Sequence, residues 1–580
     1  MRQTLSTLWP YMLRYRRGLV LGLSSLIVKV AFAAALPLLI REGIDGLMRG
    51  FELRSLFLFA GALVVTAALK GVFQYWMRVI LIGLSRDIEF DLRNDFFQHL
   101  TRLSSGFYAK YRTGDIMSRA TNDLNAVRMM LGPGVMYWTE TVVTFAFVIA
   151  VMASVDLPLT LASLLPAPVI SLVVMAFGKR IHDRFEKIQA MFSDLSSRVQ
   201  ENISGVRVVR AYVQEDAELA HFERLNREFI AQNIGLARLS GMFMPTLQGL
   251  VGVGFLIVLW AGGYRLLNGS ITLGAFVMFN TYMGMLVWPM IALGWVVNLM
   301  QRGAASLARI NELRNQVPAI ASPPSPVLSG PAFRGEIEFR GVTLRYPTGT
   351  ALDGVSLRIP AGQTVAIVGH TGSGKSSLLQ LIPRLIDPTE GEVLVDGVDL
   401  RRRSVEELRS LIGFVPQETF LFSATLAENI AFGVNGAPPE EILSAARIAG
   451  LAPDIETFPQ GLETAVGERG LTLSGGQKQR AAIARALLRN PKILVLDDAL
   501  SSVDTLTEET ILRALAEFMR GRTTILVSHR VSTVRGASRI FVLEHGRLAE
   551  EGTHEELIAA GGYYAGLYRK QLLEEELEAI

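Results

Sequence analysis

The 580 residues include no cysteine. Disulfides, thiolate metal sites and cysteine nucleophiles are therefore excluded, and the redox compartment is left open. Lysine is scarce as well. Nine lysines stand against 48 arginines, which points to genome composition more than to function. Net charge is only +3, so the chain calls for no polyanionic partner and no nucleic acid. A cleavable signal is not expected either. The first apolar run spans 23 residues, longer than a signal core, and no small-residue cleavage site follows it.

What the chain has in quantity is apolar surface. Half of its residues are hydrophobic and its mean hydropathy is +0.33, high for a chain that is 19% charged. Two textures are averaged in that figure. Long apolar runs lie before about residue 300, and the remainder reads as a soluble α/β domain. A bilayer core of about 30 Å needs about 20 apolar helical residues. Six segments qualify, at roughly 18–40, 57–83, 133–155, 157–177, 243–267 and 272–299. Short turns at Asp156 and Pro158, and at Asn268, Gly269 and Ser270, join the third to the fourth and the fifth to the sixth.

Long connections alternate with these short ones. Segments 84–132 and 178–241 carry seven and ten basic residues, whereas 41–56 carries three and the turn at 156–158 none. With Arg2, Arg14, Arg16 and Arg17, this bias places the N-terminus, both long connections and the C-terminal half in the cytoplasm. The expected location is the cell inner (plasma) membrane. A structureless loop of about 50 residues is improbable. Ser85 to Leu103 and Arg180 to Gln200 instead show amphipathic helical patterning, so the spans are expected to continue into the cytoplasm. Lys29, Lys70 and Arg78 fall within apparent spans. Arg78 reads as a snorkelling cation. Lys29, near mid-span, is a candidate cavity-lining residue.

Pro318, Pro323, Pro324, Pro326 and Pro331 mark an extended connector. The expected organisation is an all-α six-helix transmembrane domain with long cytoplasmic extensions (1–315), a linker (316–332) and an α/β P-loop nucleotide-binding domain (333–580). In the last of these, short β-like runs at 336–340, 364–368 and 493–496 alternate with helical stretches.

Gly369, His370, Thr371, Gly372, Ser373, Gly374, Lys375 and Ser376 fit the phosphate loop G-x-x-x-x-G-K-[ST], between the strand Thr364–Val368 and a helix expected from Ser377. Glycines let backbone N–H groups close on phosphate oxygens, and the helix N-terminus favours an anion. Lys375 is expected on the β- and γ-phosphates and Ser376 on Mg²⁺. Ser377 is counted with the loop. Some 120 residues on, Ile493–Leu496 reads as a buried strand ending in Asp497, a second Mg²⁺ partner. Between them, Leu473, Ser474, Gly475, Gly476 and Gln477 open a helix that runs to about Asn490, a second anion-binding end. One chain cannot easily wrap both ends around one nucleotide, so this end is expected to face ATP held by another such domain.

Together these motifs resemble the ATP-binding cassette (ABC) exporter family over nearly the whole chain. The resemblance implies further roles. Leu473–Gln477 is similar to the signature loop. Tyr346 resembles the adenine-stacking aromatic, Gln417 the glutamine that senses Mg²⁺, His529 the γ-phosphate histidine, and Ser501-Ser502-Val503-Asp504 the loop that crosses between cassettes. Val466-Gly467-Glu468-Arg469-Gly470 resembles an exporter motif. Phe107 with Gly114-Asp115, and Glu201 to Gly205 with Val209 and Tyr212, resemble the two coupling regions.

The resemblance also implies a half-transporter that must dimerise, each ATP lying between one chain's phosphate loop and the other's signature. Where the family usually has a catalytic glutamate, this chain has Asp498, as in the degenerate-site subunit of bacterial heterodimeric multidrug exporters. Its carboxylate is withdrawn by about 1.5 Å, one C–C bond. Slow hydrolysis at this chain's own ATP site, with a heterodimeric partner, is the expectation; a homodimer that tolerates aspartate is the alternative. The exported substrate is expected to be amphipathic: a small-molecule drug, a lipid or a peptide. The acidic stretch Leu572 to Ile580 reads as a solvated terminal helix.

Overall fold

The computed structural model describes residues 6–578 except 51–52, 328–329, 331–332, 468–469, 471–472 and 504. Arg2, Pro331, Glu468, Arg469, Asp504 and Ile580, singled out above, lie outside the described residues. The chain divides into two compact units. One comprises Met1–Thr101 with Arg112–Gln316, the other Arg102–Tyr111 with Val317–Ile580.

Among the described residues of the first unit, six helices are long and apolar enough to cross a membrane: Arg16–Arg49, Leu53–Arg102, Thr113–Val155, Leu157–Ser204, Glu215–Leu267 and Leu273–Arg314. The shortest has 34 residues. Crossing needs about 20, so every helix has residues to spare. In the second helix the surplus is the amphipathic stretch anticipated from Ser85. Ser85, Ile88, Leu92, Phe96 and Leu100 are buried at intervals of three and four residues, one face of a helix. The third helix is widened by two π-helical turns, Arg119–Asp123 and Met130–Gly134, the second of which contains Pro133.

Carboxylates close the short turns. Asp156 caps the fourth span by accepting from the Leu159 N–H at 2.8 Å, and it accepts from Arg265 Nε at 2.6 Å. Asp45, at the end of the first span, accepts from Thr272 Oγ1 at 2.6 Å and from the Gly274 N–H at 2.8 Å, next to the Thr272 cap of the sixth. Both carboxylates are buried, and these partners offset the cost of removing them from water.

The described residues of the second unit include ten strands. β1 (Ile337–Tyr346), β2 (Gly349–Ile359), β4 (Glu390–Val395) and β5 (Val398–Asp399) form an antiparallel sheet in the order β2-β1-β4-β5. β3 (Thr364–Gly369), β6 (Ile412–Val415), β7 (Ile493–Asp497), β8 (Thr523–Val527), β9 (Arg539–Glu544) and β10 (Arg547–Gly552) form a second sheet in the order β10-β9-β3-β8-β7-β6. All its pairings are parallel except β10 with β9. Every residue of β7 and β8 is buried, as expected of parallel strands covered on both faces. The helix after β3 starts at Lys375, two residues earlier than expected. Gly374 takes φ +100° and turns the chain straight from loop into helix.

Candidate active site

Four parallel strands end on one edge of the sheet, and each delivers chemistry to it. β3 runs into the loop Gly369–Ser377. β6 is followed by Gln417, and β7 ends at Asp497 and is followed by Asp498. β8 is followed two residues on by His529. A crevice beyond the carboxyl ends of parallel strands is the usual ligand position in α/β folds. Here it is a cleft of about 220 Å³ lined by Thr371, Gly372, Gly374, Lys375, Ser376, Ser377, Gln417, Asp497, Asp498 and His529, with Ala351 and Val527. Residues more than 150 positions apart thus share one small volume.

The loop is shaped to receive a polyanion. A Cβ at Gly374 would stand 2.5 Å from the Ala351 carbonyl oxygen, so only glycine fits there. Ser373 is buried, and its Oγ has no hydrogen-bond partner among the described residues. Lys375 Nζ donates to the carbonyl oxygens of Gly369 at 2.8 Å and His370 at 2.7 Å. Burial pushes the Lys375 ammonium below its ordinary pKa, and the charges of Asp497 and Asp498 oppose that shift. Burial likewise pushes the Asp497 carboxyl up. A Ser376 hydrogen bond pulls it back, and the neighbouring Asp498 raises it further. An anion beside Lys375 and a cation beside Asp497 would relieve both penalties. The donor set therefore fits a Mg²⁺–nucleotide.

Asp498 adopts φ +50°, a left-handed conformation that aspartate tolerates better than most side chains. Its N–H donates to the Val527 carbonyl at 3.0 Å, which locks the backbone at the cleft wall. Tyr346 is exposed, and its hydroxyl lies 3.4 Å from Ser377 Oγ.

Ser474, Gly475, Gly476 and Gln477 are not among the residues lining this cleft. Ser474 begins the helix Gly475–Leu488 in a reciprocal cap. Its Oγ accepts from the Gln477 N–H at 3.3 Å, and Gln477 Oε1 accepts from the Ser474 N–H at 2.9 Å. Two residues on, buried Gln479 donates to Ser501 Oγ at 2.9 Å and accepts from the Ser502 N–H at 2.9 Å. The helix Gly475–Leu488 is thereby tied to the loop that follows Asp498.

Two positioning glutamines carry no motif. Gln479 could have been suspected from its place two residues after Gln477. Gln571 could not. From the C-terminal helix Tyr563–Glu578 it donates to the His529 carbonyl and accepts from the Val531 N–H at 2.7 Å, clamping the backbone on either side of Arg530. The same helix places Tyr563 against the His370 ring, with centroids 4.5 Å apart.

In the first unit, Lys29 is buried and ion-paired with Glu140 of the third helix. Sequence patterning does not single out Glu140, although it is the one acidic residue in segment 133–155. Lys70 is partly exposed and Arg78 exposed.

Comparison with known proteins places this arrangement. Residues 19–290 match the model of the ABC transporter transmembrane region, and residues 352–501 the ABC transporter model. The chain is 40% identical over 569 residues to the probable multidrug resistance ABC transporter ATP-binding/permease protein YheI of Bacillus subtilis, covering 97% of this chain and 96% of that protein. The chain belongs to the ABC transporter family. It is also 38% identical over 575 residues to the multidrug resistance-like ATP-binding protein MdlA of Escherichia coli, covering 98% and 97% of the two chains. A solved bacterial Atm1-family ABC exporter with ATP bound superposes with a TM-score of 0.79 at 30% identity, over 96% of this chain and 98% of the other. The fold is thus that of an ABC exporter, a multi-pass membrane domain fused to an ATPase, and the activity class is that of an ATP-hydrolysing translocase.

Proposed function

We propose that this chain is the weakly hydrolytic half of a heterodimeric exporter of amphipathic compounds. The observation that carries this reading is Asp498, which stands in the cleft beside Lys375 and His529 where the family usually has glutamate. A general base must lie within hydrogen-bond reach of its water. With the Asp498 backbone fixed to Val527, a side chain shorter by about 1.5 Å cannot follow the water inward. A displacement of about 1 Å costs on the order of a hundredfold in rate.

The other parts of the site are intact. Thr371 to Ser377 would cradle the phosphates, with Lys375 on the β- and γ-oxygens, Tyr346 under the adenine and His529 at the γ-phosphate. Ser376, Gln417 and Asp497 would hold Mg²⁺, which when bound neutralises phosphate charge. Ser474 to Gln477 lie outside the cleft, which supports their serving ATP held by a second chain, with Asp504 at the crossing. The domain limits proposed are 1–315, 316–332 and 333–580. The membrane proposed is the cell inner membrane, with the N-terminus and the ATPase domain cytoplasmic. The multidrug names of the two relatives support a bulky amphiphile as substrate.

Expression alone and with candidate partner halves tests the pairing; a fully active homodimer overturns it. Asp498→Glu tests the chemistry. With the partner's own base inactivated, ATPase activity of the assembled transporter is expected to rise by about ten- to a hundredfold. No rise at unchanged ATP binding refutes the geometric argument.

A further inference from the structure

One cavity of the first unit is lined by none of the nucleotide-loop or coupling-region residues named above. It has a volume of about 740 Å³ and opens between the short N-terminal helix Trp9–Arg14, the start of the first span and the second helix around Gly83. That size suits a bound small molecule or lipid fragment. Its lining has two halves. One is apolar, with Val79, Ile80 and Leu84 as its floor. The other is a charged rim of Arg14, Arg16, Arg17 and Asp87. On both flanking helices this is where apolar sequence gives way to charge: the first run begins after Arg17, and the second ends before Arg86. The cavity therefore straddles the boundary between hydrocarbon and water.

The rim is not electrostatically balanced. Arg14 is committed to Asp91 at 2.7 Å, and Asp91 also accepts from the Tyr15 hydroxyl at 3.1 Å. Arg16 and Arg17 are exposed and have no ion-pair partner among the described residues. Among the described residues Asp87 is the one carboxylate in the lining, so two uncommitted guanidiniums share the rim with a single acid. Guanidinium groups bind phosphate in bidentate fashion, and basic pockets beside spans take lipid headgroups.

We infer that this cavity binds one anionic glycerophospholipid from the leaflet on the N-terminal side of the membrane. Its phosphodiester lies on Arg16 and Arg17, a headgroup hydroxyl donates to Asp87, and an acyl chain runs along Val79 and Ile80. Asp87 disfavours a bare dianion and suits a headgroup that carries a donor. The bound lipid would tie the N-terminal helix to the first two spans.

Native mass spectrometry of the full-length assembled transporter, titrated with phosphatidylglycerol, phosphatidylcholine or inorganic phosphate, tests this. Expected is one retained phosphatidylglycerol per chain, at least tenfold tighter than phosphatidylcholine and not displaced by millimolar inorganic phosphate. Arg16→Gln/Arg17→Gln should weaken it tenfold or more. That variant also removes topology signals, so a second one leaves every charge in place. Apart from its chain neighbours and its own helix backbone, nothing lies within 4 Å of where a Cβ at Gly83 would stand, and Gly83 lines the cavity, so Gly83→Phe is expected to intrude on it and to weaken binding as much. Unchanged phosphatidylglycerol affinity in either variant, equal retention of phosphatidylcholine, or displacement by inorganic phosphate (an anion site rather than a lipid site) overturns the proposal.

Discussion

Replacing Lys29 by Met removes one member of an ion pair whose side chains are only 10% and 24% exposed, in a part of the chain built to lie in lipid. Methionine fills much of the same volume, so the loss is mainly of charge. Glu140 is then left without its cation. Breaking a buried pair by removing one partner costs about 3–5 kcal/mol, because the remaining charge is uncompensated. At about 2 °C per kcal/mol for a unit of this size, the thermal midpoint of the detergent-solubilised transporter should fall by roughly 5–10 °C. Neutralising both residues, as Lys29→Met/Glu140→Gln, should restore all but about 1 kcal/mol, since a buried pair is worth little against a neutral one. The exchange Lys29→Glu/Glu140→Lys should recover most of the midpoint. Intrinsic-fluorescence melting reads all four proteins. A Lys29→Met variant that melts like the parent, or an exchange no better than Lys29→Met, refutes the pairing argument. Transport separates the remaining alternatives. If Lys29 lines a substrate path, the neutral double variant melts normally yet exports poorly. If the pair serves packing alone, it exports like the parent.

Three further outcomes are expected. Gly374→Ala places a methyl 2.5 Å from the Ala351 carbonyl at a residue with φ +100°, so nucleotide binding, read by fluorescent-ATP titration, should fall at least a hundredfold. Gln571→Ala frees the His529 backbone without touching the cleft; steady-state ATPase should show kcat down by about tenfold with KM for ATP nearly unchanged. Asp396 accepts from the N–H groups of Arg334, Gly335 and Glu336 at 2.9–3.2 Å, so Asp396→Ala should destabilise the ATPase domain by about 2–3 kcal/mol, measurable as a lower melting midpoint.

Much of this protein is legible in its sequence, because the deciding physics is local. The six long apolar helices follow from the length of apolar runs, and the continuation of the second past Ser85 from an i, i+3, i+4 pattern. Gly369–Ser376 stands out as the proposed phosphate cradle because such a loop needs glycines at set positions beside one lysine and one hydroxyl. The start of the following helix is less legible, and it falls two residues ahead of the expected Ser377. Only the backbone conformation shows that Gly374 itself makes the turn.

Tertiary structure alone decided which distant groups meet. Gln417, Asp497 and His529 converge because four parallel strands end on one edge, an order set by crossover connections and not by neighbouring residues. Lys29 finds Glu140, 111 positions away, because the first and third helices pack there. Gln571 reaches His529 only because the C-terminal helix folds back against the segment that follows β8. Hydropathy and turn chemistry act within a few residues and leave a mark in the sequence. Pairing between buried polar groups depends on which surfaces packing brings together, and one-dimensional order carries almost no trace of that.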